Sequence, residues 1–396
     1  MRLNPALDAV GDEHSFYYVA KAREVSEKRG MRVISFGAGQ PDFDTPSHIK
    51  DAAKHALDSG FTGYTEAAGI IELRRAIAEY LNQSYGANVS EKNVLVTTGG
   101  KTSIFLAIAA VAYPGSKIII PEPSFYAYSP VARFFGAKPV FVPLRWSSEH
   151  GFELDVNMVV EKITENTSAI IVNSPHNPTG AVFEKQDVKR LFDEASSRGI
   201  AVISDEVYDQ LVYDGEFFSI TSIDGWTENG VLVHSFSKTF SMTGWRLGYL
   251  VAQERVIEKL TSLAVIVYSC APSFVQKAGV AALKGSWKPV AEMIREFNER
   301  RKLMFRLLKE VPGFDVAMPK GAFYMFPRVK RALDALGMDV TTFANTLLEE
   351  KGVLVLPGTM FPDKAGKEFV RLSYSVSRES IVEGVERIKE FIEERL

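Results

Sequence analysis

Cysteine is nearly absent: Cys270 is the single one in 396 residues. That excludes an internal disulfide and a cysteine metal cluster, and it suits a reducing compartment. No uninterrupted apolar run approaches the length of a bilayer span. The start, Met1-Arg2-Leu3-Asn4-Pro5, runs into Asp8, Asp12 and Glu13 without an apolar signal core, so the expectation is a soluble, cytoplasmic protein. Charge of one sign is lacking too, since 46 Lys and Arg stand against 49 Asp and Glu for a net charge of −3. With no basic block in the chain, neither nucleic acid nor a membrane surface is expected as a partner. Low-complexity tracts, internal repeats and long flexible linkers are also missing.

What the chain does have is apolar content, 46% hydrophobic against 24% charged, enough for a large core and two domains. From residue 93 to 250, short apolar runs alternate with helical stretches: Val94-Val96, Ile118-Ile120, Val140-Val142, Ala169-Val172, Ala201-Ile203 and Val231-Val233. Runs apolar on both faces predict strands of a mainly parallel sheet covered by helices, an α/β fold. Thr45-Pro46 reads as a helix start with a hydroxyl cap, and Ser103 to Ala112 as an apolar helix. After Arg255 the chain turns helical, with Ala291 to Leu308 as a long charged connector. Strand-like 322–326, 353–355 and 369–372 and a closing helix from Glu379 then predict a smaller α+β domain. That domain is expected to recruit the N-terminal arm, which divides the chain into an arm (1–45), a large domain (46–290) and a connector with small domain (291–396).

Ligands of parallel sheets bind beyond the carboxyl ends of the strands. Four apolar runs lead there into polar or glycine-rich segments: Thr97 to Thr102, Asn173 to Gly180, Ser204 to Tyr208, and Ser235-Phe236-Ser237-Lys238-Thr239. In the last, Lys238 follows a strand end among hydroxyls, and Arg246 stands eight positions on. Small side chains there admit a ligand, and Ser235, Ser237 and Arg246 offer donors suited to a phosphate, although a surface turn with a solvated lysine has the same composition. Thr97-Thr98-Gly99-Gly100-Lys101-Thr102 ends a strand and opens a helix, whose bare N–H groups bind phosphate. A nucleotide P-loop also ends in Gly-Lys-Thr, but it needs a glycine five positions before Gly100, where Leu95 stands inside a strand. Asp205-Glu206 fits either a helix cap or a carboxylate placed beside a cationic ring.

Ser-x-Ser-Lys followed by Gly244-Trp245-Arg246-Leu247-Gly248-Tyr249 resembles the cofactor-lysine signature of the class I/II aminotransferases, fold type I enzymes that use pyridoxal 5′-phosphate (PLP). Further segments are similar to the family's in the same order, from Gly39 to Arg371. The resemblance implies that Lys238 holds PLP covalently and moves a proton during catalysis. It sets Asp205 against the ring nitrogen, Tyr208 and Asn177 (of Asn177-Pro178-Thr179-Gly180) on the ring hydroxyl, and Phe125 against the ring face. Gly100, Lys101, Thr102, Ser235, Ser237 and Arg246 fall to the phosphate. Gly39 and Arg371 fall to the substrate carboxylate, with Phe125 and Asn177 also at the substrate, and Tyr64 reaches the phosphate site of a second subunit in a homodimer. The aromatic arm Phe16-Tyr17-Tyr18 is expected to border the pocket, with Tyr17 at the substrate, although these rings can equally pack between domains. Ser286, Trp287 and Lys288 stand roughly where some members place a contact for a distal group.

The activity so implied is amino transfer from an aspartate-, alanine- or aromatic-like L-amino acid to a 2-oxo acid such as 2-oxoglutarate, by a ping-pong route with no metal. A PLP-dependent lyase on the same scaffold is the alternative, distinguished by whether a 2-oxo acid sustains turnover. A non-catalytic ligand sensor would carry an N-terminal DNA-binding extension, which this chain is not expected to have.

Overall fold

The computed structural model describes residues 1, 3–9, 15–362 and 364–396, so Arg2, Asp12 and Glu13 of the leader reading, and the Phe16 side chain, lie outside the described residues. Seven strands form the central sheet: β1 (Val94–Thr97), β2 (Lys117–Glu122), β3 (Lys138–Pro143), β4 (Thr167–Asn173), β5 (Ala201–Asp205), β6 (Gly230–Ser235) and β7 (Gly248–Val251). Their spatial order is β1-β7-β6-β5-β4-β2-β3. Every neighbouring pair is parallel except those of β7, which runs antiparallel to both β1 and β6. The sheet is wrapped by helices on both faces, which is why its strands read as unbroken apolar runs. Among the described residues no helix is long and apolar enough to cross a membrane.

Because six strands point the same way, Thr97, Asn173, Asp205 and Ser235 end along one edge. The register makes this tight: Asn173 lies beside Asp205, and Gly248 lies beside both Ser235 and Thr97. Gly248 is glycine for a steric reason, since a Cβ there would stand 2.7 Å from the Gly99 carbonyl carbon. The chain leaving β1 can therefore turn at once into a helix.

A second, three-stranded sheet has the order β8-β10-β9, from Tyr324–Met325 (β8), Leu356–Pro357 (β9) and Val370–Ser373 (β10). Ile34–Ser35 pairs in parallel with Val353–Leu354, which carries the chain's beginning into the C-terminal part. The Lys288–Leu308 helix buries Met293, Phe297 and Met304 in the same hydrophobic core as the C-terminal part and packs on the closing helix Arg378–Glu393.

Three local expectations are corrected. Thr45 does not cap the following helix: that helix is Ser47–Asp58 with Pro46 at the cap position, and the Thr45 hydroxyl donates instead to Ser241 O at 2.6 Å. The apolar helix starts earlier than Ser103, at Gly100, because Gly99 takes φ 92° and lets the helix begin directly at the strand tip. The 322–326 run forms a strand only at Tyr324–Met325, since Ala322 takes φ 54° and breaks the extended backbone.

Candidate active site

A cavity of about 780 Å³ opens beyond the strand ends. Twelve of the residues singled out in the sequence line it: Gly39, Gly100, Lys101, Phe125, Asn177, Asp205, Tyr208, Ser235, Ser237, Lys238, Arg246 and Arg371. Three do not. Thr102 turns back into its own helix, its hydroxyl 2.9 Å from that of Thr98. Tyr17 lies half exposed on the Ser15–Arg29 helix, which lines the cavity with Val19 instead. Tyr64 is 90% exposed on a loop outside the cavity. Ser286, Trp287 and Lys288 are also absent from the lining; Trp287 packs inward, stacked on Tyr80 at 5.7 Å.

The lysine turn is built by a serine cap. Ser235 Oγ accepts the Ser237 N–H at 3.1 Å and donates to Leu247 O at 3.1 Å, which tethers the Phe236–Thr239 turn to the chain leading into β7. Lys238 follows one position later, half-buried, with Nζ donating to the Gly39 carbonyl. Its pKa is pulled down to about 7, first by burial and then by the cations Arg371, Arg246 and Lys101 around the same cavity. Near neutral pH a large fraction of this amine is uncharged, the form in which it can attack a carbonyl or take a proton.

Asp205 ends β5 and is 3% exposed. Tyr128 Oη donates to its Oδ2 at 2.7 Å, and burial raises its pKa to about 6, opposed by that bond, the Val207 amide and the nearby cations. Tyr208 meets Tyr324 hydroxyl to hydroxyl at 2.7 Å, and burial raises both phenols above their ordinary range. Asn177 is held by its neighbours: its N–H donates to Asn173 Oδ1 at 2.9 Å, and Asn173 Nδ2 donates to the Asp205 carbonyl at 2.8 Å. Phe125 lies at the wall, its ring 5.6 Å from that of Tyr128.

Arg371 comes from β10, on the opposite wall. Its Nη1 donates to Asn177 Oδ1 at 3.0 Å and its Nη2 to Gly37 O at 2.9 Å, with the guanidinium 4.4 Å from the Tyr324 ring centre. Only 4% exposed, it has no carboxylate partner among the described residues, and Nε has no hydrogen bond. Burial accordingly lowers its pKa from the ordinary guanidinium value. At the rim, Arg246 takes φ 55° and folds over Gly99, where a Cβ would collide with its Nη2; Nη1 donates to Thr243 O at 2.9 Å. Lys101 sits at the mouth, Nζ 2.6 Å from Tyr126 Oη.

Tyr324 and Asn173 were assigned no role from sequence, and Tyr128, like Tyr126, figured only as an alternative to Phe125 at the ring face or as core. Tyr128 stands three positions after Phe125, where the sequence marks it only as another aromatic. Its bond to Asp205 joins residues 77 apart, a distance no local pattern spans.

The arrangement offers one amine of lowered basicity, a buried carboxylate, a cluster of serines, a helix start and an arginine at one end, and a second, buried arginine with no carboxylate partner among the described residues. Residues 31–388 match the family model described as aminotransferase class I and II, and the chain belongs to that family. The fold and the chain together thus define a transaminase. It is 45% identical to the aspartate aminotransferase of Sulfolobus acidocaldarius, over 97% of this chain and 96% of that one. The solved aromatic aminotransferase from Pyrococcus horikoshii superposes with a TM-score of 0.87 at 40% identity, covering 94% of this chain and 99% of that one. The aspartate aminotransferase from Thermus thermophilus with maleate gives 0.91 at 36% identity, covering 98% and 100%.

Proposed function

We propose that the cavity binds PLP and transfers an amino group from an aspartate-, alanine- or aromatic-like L-amino acid to a 2-oxo acid such as 2-oxoglutarate. The carrying observation is that Lys238, Asp205 and Arg371, from three distant parts of the chain, line one cavity. The donors fit the cofactor's chemistry: a buried carboxylate suits a protonated pyridine nitrogen, and a glycine-lined helix start beside an arginine suits a phosphate. When bound, PLP supplies an electron sink for charge leaving the substrate's α-carbon.

The remaining work falls to the chain. Lys238 holds the cofactor through its amine and, once freed, carries a proton at the substrate α-carbon, a task matched to a pKa near neutrality. Asp205, kept an acceptor by the Tyr128 hydroxyl, holds the proton on the ring nitrogen. Tyr208 and Asn177 donate to the ring hydroxyl, and Phe125 covers the ring face. Gly100, Lys101, Ser235, Ser237 and Arg246 bind the phosphate; Thr102, assigned there from the sequence, gives its amide to Gly99 O at 3.0 Å and its hydroxyl to Thr98, and supports the helix start instead. Arg371 exchanges its contacts to Asn177 and Gly37 for the substrate carboxylate, a stronger, charge-assisted pair, with the Gly39 backbone beside it. The N-terminal helix borders the substrate through Val19, with Tyr17 left outside the lining.

The same reading takes the chain as a cytoplasmic homodimer divided at residues 45 and 290, with Tyr64 completing the partner's phosphate site. Supporting the dimer, the exposed Tyr64 loop and exposed Val265, Ile266 and Val267 flank the same strand, β1: Val96 N–H donates to Ala68 O at 2.9 Å and Tyr268 Oη to Val96 O at 3.1 Å. A panel of amino donors with 2-oxoglutarate tests the activity, with glutamate formation expected for at least one donor of the three classes. Turnover that proceeds at full rate without any 2-oxo acid would refute amino transfer.

A further inference from the structure

Beside the lysine turn, two buried hydroxyls, Thr239 Oγ1 and Tyr249 Oη, have no hydrogen-bond partner among the described residues, and His234 next to them pairs through Nε2 with Asp209 Oδ1 at 3.1 Å. The three residues are 5% (His234), 2% (Thr239) and 1% (Tyr249) exposed, and all line one small cavity of about 10 Å³. Burying two hydroxyls unpaired is unfavourable, and native proteins avoid it.

The geometry defines what fits. A space of roughly 10–15 Å³ takes one water, and a buried water needs two to four polar partners. His234 Nδ1 accepts the Ser235 N–H at 2.8 Å, so the ring's proton sits on Nε2, which is a donor. Asp209 Oδ1 lies 3.1 Å from Nε2 as the charge partner of the ring, and Asp209 Oδ2 accepts from the Tyr80 and Tyr85 hydroxyls. The His234 and Tyr249 rings stack at 4.9 Å as a cross-strand pair, and Thr239 directly follows Lys238. Two hydroxyls that can each donate or accept, beside the edge of the His234 ring, are the complement of a single neutral water.

We propose that this cavity binds one ordered water, which ties β6 and β7 to the turn carrying Lys238 and makes Thr239 and Tyr249 positioning residues for that lysine. The water site stands on the fold alone; its effect on turnover rests on Lys238 being the reactive amine. Neither hydroxyl lines the substrate cavity, so both act at a distance from the chemistry.

A high-resolution crystal structure of the holoenzyme is expected to show one density peak in this cavity, within hydrogen-bonding reach of the Thr239 and Tyr249 hydroxyls. A dry cavity, or Tyr249 Oη bonded directly to Asp209, overturns the site. Thr239→Val and Tyr249→Phe are each expected to lower kcat about fivefold with KM unchanged, the scale of one neutral hydrogen bond. The double variant should be no worse than the poorer single one, because both hydroxyls act through the same molecule. Thr239→Ser, which keeps the hydroxyl, should recover the loss. Additive losses, or unaltered kcat in both single variants, overturn the positioning role. If Lys238 is not the reactive amine, covalent mapping of the cofactor shows it independently, and the density peak is unaffected.

Discussion

Asp205 and Arg371 face the same cavity from opposite walls, each about as buried as the other, and each is balanced differently. Asp205 has several protein partners: a tyrosine hydroxyl, a backbone amide and cations close by. Arg371 holds its place with neutral carbonyl oxygens and an aromatic face, with no anion among the described residues and one N–H left over. A buried charge without a counter-charge is costly. The acid wall thus has protein partners that offset only part of its burial, while the arginine wall has no counter-charge among the described residues, which suits an anionic ligand. Lys238 lies between them and registers both, lowered by the arginines and lifted by the acid.

Four variants or conditions break or sharpen this contrast. Lys238→Ala removes the group common to both walls, and turnover should fall by at least about 10⁴-fold in a donor–acceptor assay; measurable ping-pong turnover in that variant would count against the assignment. Arg371→Lys keeps a charge but loses the planar fork, and kcat/KM should drop by about 100-fold, mostly through KM for both substrates. A variant with normal KM would mean that the carboxylate is bound elsewhere. Tyr128→Phe removes one bond from the acid wall, so cofactor retention measured by equilibrium dialysis should weaken by about 10-fold. Retention equal to the parent's would show that Asp205 does not depend on that hydroxyl.

The smallest change is a titration. In cofactor-free protein Lys238 is expected to become reactive toward an amine label as pH rises through about 7, since burial and nearby cations disfavour its charged form. Above that pH the amine is neutral and labels; below it the amine is protonated and does not. Arg371→Gln removes one of those cations and should move the midpoint upward. A midpoint in the ordinary lysine range in the parent protein would contradict the picture of a crowded cationic site.

The acid wall was the more legible of the two in the sequence. β5 and β6 are buried on both faces, so they read as apolar runs, and the polar pairs that follow each run, Ser204-Asp205 and His234-Ser235, close the strand at its tip. Arg371 lies mid-strand in a short sheet, where position says nothing about function; only the likeness of Phe369 to Tyr374 to a family segment singled it out. The neighbours that tune both walls were not legible. Tyr128 reaches Asp205, and Tyr324 reaches Tyr208 and Arg371, across separations that only tertiary packing closes. Likewise Thr45 has the composition of a helix cap, yet a distant carbonyl competed for its hydroxyl and won. Sequence pattern located the strand ends well and the partners of those ends poorly, because the first is a local property and the second is not.

The central claim is that Lys238 is the amine through which this cavity holds its cofactor. Borohydride reduction of the PLP-loaded protein, followed by proteolysis and peptide mass mapping, tests it directly. The account predicts one pyridoxyl group per chain, on the peptide containing Lys238. A label on Lys101 or another lysine, or no label in protein that binds PLP, would contradict it.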